Sequence, residues 1–305
     1  MIVATWNLEN LYRPGGEFGP RDEAAYDAKL GALATTIQAI APDVLAVQEV
    51  GDPAALDDLT ARAGGTWHVA LSTLPDERGS RVGFASRLAL EGVEEFSRFP
   101  DRLAPVQVED DGETAAAMGR GALGVRVAGT DLLTCHLKSK LLSFPGGRFT
   151  PRDEGERARY GAYALYLRAA EAVTLRARAD ALLATSSAVI VLGDLNDEAQ
   201  AATTQVLLGP PGSEIGTPGF DRPDQGDTRR LWNLAPLIPA ERRFTRIYRG
   251  RRELIDHVLV SHALVDRVAR VDTATDALPS ITEEPAERRD APGSDHAPLV
   301  VELSA

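Results

Sequence analysis

The stretch Ala188–Asp197, AVIVLGDLND, decides how the chain is read. Its apolar run, Ala188 to Leu192, is too short for a buried helix and rich in β-branched side chains, so it predicts a buried strand. Directly behind it stand Asp194, Asn196 and Asp197. Polar groups placed where a core strand ends must find partners or water, because burying them unpaired costs on the order of a few kcal/mol. A strand end that is rich in carboxylates is therefore the first candidate for a site.

The same pattern recurs outward in both directions. Ile2–Trp6 reads as a strand followed by Asn7, and Val44–Val47 as one followed by Gln48 and Glu49. His136 lies near the end of the run Leu132–Leu137, Asp256 opens the strand Ile255–Val260, and Asp295-His296 precede Ala297–Leu303. Helices are predicted between these strands. Residues 22–41 carry Leu30, Leu33, Ile37 and Ile40 at helical spacing before Pro42, and Asp52-Pro53 opens a helix that Gly64-Gly65 closes. Further helices are expected over about 157–184 and 198–208, and β-like runs at Thr66–Leu71, Arg81–Ser86, Leu123–Val127 and Phe244–Tyr248. Strand, helix, strand order recurs in both halves and no stretch reads as a flexible linker. Residues 1–305 thus predict one α/β domain in which two sheets pack face to face with helices outside.

Composition narrows the function. Apolar residues make up 44% of the chain and charged ones 26%, the profile of a globular protein with a large core. No apolar run approaches the ~18 residues of a membrane span, and the opening MIVATWNLEN shows neither a basic leader nor a cleavage site. A cytoplasmic protein is expected from the sequence as given, or a secreted one if the chain is a mature fragment; neither a membrane nor an obligate protein partner is expected. Cys135 is the single cysteine, which excludes an intrachain disulfide and a cysteine zinc cage. The net charge of −12 argues against broad attraction to polyanions. Charge is uneven, however: Arg229–Arg252 is basic and Glu91–Glu113 acidic.

Taken singly, Glu49 and Asn7 read as strand-end caps and His136 as a hydrogen-bonded, half-buried histidine. Together they say more, because the chain has only four asparagines and five histidines, and Asn7, Asn196, His136 and His296 all fall at such strand ends. Magnesium prefers hard oxygen donors and retains several waters, so one or two carboxylates with an amide oxygen suit it. The constellation therefore predicts a divalent-metal phosphoryl site, with Mg²⁺ as the expected ion and Mn²⁺ or Ca²⁺ as substitutes.

The ordered blocks WNLEN (Trp6–Asn10), QEV (Gln48–Val50), CHLKSK (Cys135–Lys140), GDLND (Gly193–Asp197), IDHVLVS (Ile255–Ser261) and SDHAPL (Ser294–Leu299) resemble the endonuclease/exonuclease/phosphatase superfamily over nearly the whole chain. The resemblance implies a four-layer α/β sandwich, two packed mixed sheets flanked by helices, with the site at the top of the sheets. It implies Glu49 as the main metal carboxylate, with Asn7 and Asp295 completing the shell directly or through water. Asp194 resembles the residue that orients and deprotonates the attacking water, and Asn196 the amide that holds the phosphate. His296, polarised by Asp256, resembles the imidazole beside the scissile phosphate, and His136 a donor to a phosphate oxygen.

The blocks also resemble bacterial DNase I-like nucleases, which implies hydrolysis of a DNA or RNA backbone. Lys138, Lys140 and Arg157 are then expected to touch substrate phosphates, and Arg148, Arg152 and Arg159, with the arginines of 229–252, to form a positive rim. No aromatics are interleaved with these basic residues to stack unpaired bases. The alternative is a phosphatase or phosphodiesterase for a small or lipid-derived ester, although the only apolar candidates for a lipid surface, Phe144 and Phe149, are expected to pack locally. A third alternative is a non-catalytic binding protein on the same fold; the full residue set argues against it.

Overall fold

The computed structural model describes residues 1–212, 214–218, 220, 222–276, 278–282 and 285–304. In chain order the first half runs β1 (Ile2–Leu11), α1 (Glu23–Ile40), β2 (Val44–Val50), α2 (Pro53–Ala63), β3 (His68–Leu71), β4 (Arg81–Ser86) and β5 (Glu91–Arg98). The short pair β6 (Val106–Gln107) and β7 (Thr114–Ala115) leads to β8 (Ala117–Val127), β9 (Thr130–His136) and the long α3 (Glu154–Leu183). Then follow β10 (Val189–Asp194), α4 (Ala202–Leu208), β11 (Leu231–Asn233), β12 (Arg246–Tyr248) and β13 (Arg251–Glu253). The chain closes with β14 (Asp256–Ser261), α5 (His262–Val265), β15 (Val268–Thr273), β16 (Ser280–Ile281) and β17 (Leu299–Leu303).

Two six-stranded sheets result, ordered β15-β17-β1-β2-β4-β3 and β11-β14-β10-β9-β8-β5. Alternation along each strand makes four layers of them. Val3, Val44, Ala46, Phe84, Leu132, Ile190, Leu192, Val258 and Val260 point between the sheets and share one core. Their neighbours Ala4, Trp6, Leu45 and Val47 meet α1 and α2 through Leu30, Leu33, Ile37, Leu56 and Leu59. On the far side Leu133, Cys135, Val191 and Leu259 meet α3 and α4 through Ala172, Leu175 and Leu207. The helices start where the sequence indicates: Asp22, Asp52 and Asp153 each accept a first-turn N–H with their side chains.

The inward rows decide where the site lies. β1 is parallel to β2 and β9 to β10, while β14 runs antiparallel to β10 and so begins where β10 ends. Continued two by two, the inward row reaches Asn7 on β1, Gln48 on β2, His136 on β9, Asp194 on β10 and Asp256 on β14, and all five are buried. One end of the seam between the sheets is therefore polar. Below it, Gln48 donates to Thr5 Oγ1 (3.1 Å) in its own sheet and to Thr134 Oγ1 (3.1 Å) in the other.

Several elements differ from expectation. β1 continues past Trp6 to Leu11, with a register shift between Asn7 and Leu11 that leaves room for Glu9 and Asn10 at φ 49° and 54°. α4 starts at Ala202 rather than near Glu198, whose carboxylate instead receives the Leu254 N–H at 3.3 Å. Two strands carry no clear sequence signal. β5 is an edge strand whose charges Glu91, Glu94 and Glu95 mask the alternation, a common protection for exposed edges. β15 likewise closes an edge, with Val268 to Thr273 only partly buried.

Candidate active site

Asp194 is the hub of the polar end. Its Oδ2 receives the Asn7 amide at 3.0 Å and lies 3.3 Å from His136 Nε2 and 3.9 Å from His296 Nε2, and its Oδ1 receives the Asn196 N–H at 2.9 Å. Asn196 sits at φ 53° and gives its side-chain amide to the Leu137 carbonyl at 2.9 Å, tying the loops after β9 and β10 together. Burial, with Asp256 close by, pushes the Asp194 carboxyl up to about 7, although His296, Asn7 and Asn196 pull it down.

His296 Nδ1 and Asp256 Oδ2 form a buried pair at 2.7 Å. Burial alone would depress this imidazole, but Asp256, Asp295 and Asp194 outweigh it and lift His296 to about 10, so the ring is an imidazolium at neutral pH. The backbone fixes it as well, since Trp6 Nε1 donates to the His296 carbonyl at 2.8 Å. His136 behaves oppositely: burial first, then Arg120, His296, Arg78 and Lys138, hold it far below its ordinary value. It is therefore neutral; its Nε2 lies 3.3 Å from Asp194 Oδ2, and among the described residues its buried Nδ1 has no hydrogen-bond partner. In this arrangement His136 faces a carboxylate, where the sequence led us to expect a phosphate donor.

Glu49 turns into the cluster because β2 is irregular between Val47 and Val50 and Glu49 adopts φ 60°. Oε2 receives the Asn10 N–H at 2.9 Å and Oε1 the Asn7 amide at 3.3 Å. Burial opposes its charge, yet Arg78, Arg120 and the Asn10 N–H hold its carboxyl below the ordinary range. Asn7 Oδ1 accepts the Glu9 N–H at 2.9 Å and keeps its second lone pair, while its amide nitrogen serves Glu49 and Asp194. Asp295 stands at the head of the SDH turn, its N–H given to Glu9 Oε2 at 2.9 Å.

The donor set fits a divalent cation. Glu9, Glu49, Asp194, Asp256 and Asp295 crowd one seam end, and among the described residues Asp256 Oδ1 is buried without a partner. Asp194, Asp256 and His296 bring ligand atoms within 4.8 Å of one another. That trio is nevertheless a poor cage, because a protonated His296 has no lone pair to give and its Nδ1 already serves Asp256. Glu49 and Asp295 remain as hard oxygen donors beside it.

The expected phosphate contacts fare less well. β9 ends at His136, so alternation does not carry on to Lys138 and Lys140. α3 takes over instead: Glu171 accepts the Lys138 N–H at 2.6 Å and Arg168 donates to the Lys138 carbonyl at 2.9 Å. Lys138 Nζ reaches only the Leu141 carbonyl, at 3.2 Å, while Lys140 pairs with Asp197 at 3.1 Å. Arg157 pairs with Glu154 one helical turn away on an exposed face, Arg148 with Glu156 and Arg159 with Asp110. Within the basic stretch 229–252, Arg230 pairs with Asp224 and Asp227, Arg242 with Asp272 and Arg246 with Glu253. Phe144 packs on Tyr160 as expected, whereas Phe149 is 63% exposed.

Sequence reasoning missed other residues. Arg78, in the loop before β4, and Arg120, on β8, act electrostatically on both Glu49 and His136. Asp76 lies 2.9 Å from Arg120 and 3.8 Å from Arg78, Arg78 also donates to Asn10 Oδ1 at 3.4 Å, and among the described residues Arg120 Nη1 is buried without a partner. Glu9, Arg288 and Lys29 form a second charged layer behind Asp295. A signal for Lys29 existed: the chain has thirty arginines and three lysines, and all three lysines lie next to this end of the seam.

Comparison with known proteins defines the class. The family described as Endonuclease/Exonuclease/phosphatase matches residues 4–296, so the chain belongs to that family of phosphoric-ester hydrolases, whose fold is generally divalent-metal-dependent. Among solved structures the chain is similar to a 3'-5' exonuclease from Neisseria meningitidis, at 17% identity and TM-score 0.59, with 100% of both chains covered. It is similar to a mannosyl-6-phosphatase from Bacteroides thetaiotaomicron, at 16% identity and TM-score 0.60, again with 100% of both chains covered. An AP endonuclease from Archaeoglobus fulgidus aligns at 14% identity and TM-score 0.55, with 100% of both chains covered. These likenesses show the shared four-layer fold. No curated protein matches the chain. Among the described residues no helix is long and apolar enough to cross a membrane.

Proposed function

We propose that residues 1–305 form one catalytic domain that hydrolyses a phosphodiester of a DNA or RNA backbone with Mg²⁺, water attacking phosphorus in line with the departing oxygen. The observation that carries this reading is Asp194, a buried carboxylate that accepts from Asn7 and Asn196 and lies 3.3 Å from His136 and 3.9 Å from the His296 imidazolium. A divalent cation held by Glu49 and Asp295 supplies charge neutralisation at the phosphate. Asn7 keeps the Glu49 and Asp194 carboxylates at fixed separation through its amide nitrogen, and its oxygen completes the metal shell directly or through water. Asp194 orients the water and takes its proton, a task suited to a carboxyl pushed up to about 7. Asn196 has one amide hydrogen left for a phosphate oxygen, and His296, kept charged by Asp256, stabilises the charge that develops on phosphorus. Arg78, Arg120 and Lys138 hold the phosphate from the β4–β8 side.

A second reading, a phosphatase or phosphodiesterase for a small ester, draws support from the rim. Arg148, Arg157 and Arg159 are paired within the protein, which leaves few cations away from the centre to track a long polyanion. The deciding experiment is a Mg²⁺-supplemented panel of plasmid DNA, single-stranded DNA, RNA and small phosphate esters. Preference for a polymer, weakening with salt, is expected; hydrolysis of monoesters alone would overturn the nuclease reading.

A further inference from the structure

Behind Asp295 lies a charged layer that the proposed chemistry does not use. Glu9 is 8% exposed, and Arg288 grips both its oxygens, Nε to Oε1 at 2.6 Å and Nη2 to Oε2 at 2.7 Å. The same Arg288 donates to the Gly293 carbonyl at 3.2 Å, and Glu9 Oε2 also accepts the Asp295 N–H at 2.9 Å. Lys29 reaches this layer from α1. It is 4% exposed, and among the described residues no hydrogen bond or ion pair engages its ammonium, yet Glu9, Asp295 and Glu49 all act on it electrostatically. An unpaired buried ammonium is costly unless nearby negative charge compensates it.

Resting on the metal reading above, we propose that Lys29 and Arg288 are a built-in counter-cation for Glu9 and Asp295, which limits the site to a single divalent ion on its Glu49 side. Two adjacent carboxylates such as Glu9 and Asp295 would otherwise offer hard oxygens to a second ion. Arg288 occupies both oxygens of one of them, and Lys29, whose charged form burial disfavours and Glu9, Asp295 and Glu49 favour, adds positive charge to the same layer. Arginine and lysine have different tasks here. The guanidinium matches the carboxylate bidentately, and the ammonium acts as a compact charge without a fixed partner.

Counting bound Mn²⁺ by its paramagnetic resonance, with calorimetry alongside, tests this without reference to turnover. All proteins carry Asp111→Asn, because Glu109, Asp111 and Glu113 form an exposed acidic group that could hold a stray ion. One Mn²⁺ is expected in the otherwise unaltered protein, and two in Lys29→Met and in Arg288→Met. Adding Glu9→Gln to either variant should return the count to one, and the charge-preserving Arg288→Lys should stay at one. Thermal melting confirms that each variant is folded, and either methionine variant suffices if the other does not fold. Two ions in the parent, or one ion in both methionine variants, would overturn the proposal. No bound ion in the parent would overturn the metal reading itself, and this proposal with it.

Discussion

Replacing Asp256 by Asn removes a charge from beside His296 while keeping a side chain of similar size. The rise of His296 from 6.5 to about 10 corresponds to roughly 5 kcal/mol in favour of the imidazolium, at ~1.4 kcal/mol per unit. It is net of burial and shared among Asp256, Asp295 and Asp194, of which Asp256 alone makes direct contact, at 2.7 Å. Without it burial prevails, and His296 should titrate below neutrality. Turnover at pH 7.5 should then fall roughly 10²- to 10⁴-fold, the span of a lost acid–base or charge-stabilising group. The stability consequence has a definite sign. A histidine raised in the folded state stabilises fully below its unfolded value near 6.5, and that contribution is lost as pH rises towards about 10. Asp194 and Glu9, each raised to about 7, are largely ionised by pH 8, and the lowered Lys29 and Lys138 act with the opposite sign, so a loss of stability between pH 8 and 9.5 is the mark of His296. The parent should lose stability across that window by urea unfolding, and Asp256→Asn should be flatter. NMR of labelled histidine reads the ring directly. A His296 that still titrates above pH 9 in Asp256→Asn, or unchanged turnover, would refute the reasoning.

Other perturbations separate the remaining roles. Glu49→Gln should leave melting nearly unchanged and abolish most activity, with excess Mg²⁺ restoring part of it; activity that persists in EDTA would remove the metal mechanism. Asp194→Asn should lower kcat by several orders of magnitude with little change in KM, whereas Asp197→Asn should mainly destabilise. Asp197 accepts from Arg168 (3.0 Å) and Thr203 (2.6 Å), and weakening a buried pair costs on the order of 3 kcal/mol. Greater kinetic damage from Asp197→Asn would reverse these roles. Neutralising Arg120 and Lys138 should reduce DNA cleavage and lower the log–log salt slope by about one per lost contact, while Arg157→Ala, which only frees Glu154, should match the parent. An Arg157→Ala effect on the slope as large as that of Lys138→Ala would restore the broad basic rim.

How far a sequence reveals this fold depends on which face of each element meets core. β2, β4, β9 and β10 are buried along nearly their whole length, so their apolar runs mark them, and α1 and α2 are delimited by Asp22, Pro42, Asp52 and Gly64. β5 and β15 are sheet edges, where polar side chains replace the signal that burial imposes elsewhere. The ends of β1 and β2 escape for a different reason. Their register shifts and positive φ values at Glu9, Asn10 and Glu49 are set by the carboxylates they turn inward, and non-glycine residues of that kind carry no local sign of such a backbone.

The site divides along the same line. Asn7, His136, Asp194 and Asp256 are legible because each ends a buried inward row, next to apolar residues at Asp194 and Asp256 and next to Thr5 and Thr134 at Asn7 and His136. Arg78 and Arg120 lie on separate segments, a loop and a strand start, and only packing the sheets brings their charges to Glu49 and His136. The opposite error has the same origin: Arg148, Arg157 and Arg159 look like a basic rim in one dimension, but Glu154, Glu156 and Asp110 neutralise them in three. Lys138 escapes that fate because Arg168 and Glu171 hold its backbone and leave its ammonium only a carbonyl. A cation near this site therefore serves a phosphate where the fold leaves a donor uncommitted, as at Arg120 Nη1 and the Lys138 ammonium, and that is a property of contacts rather than of composition.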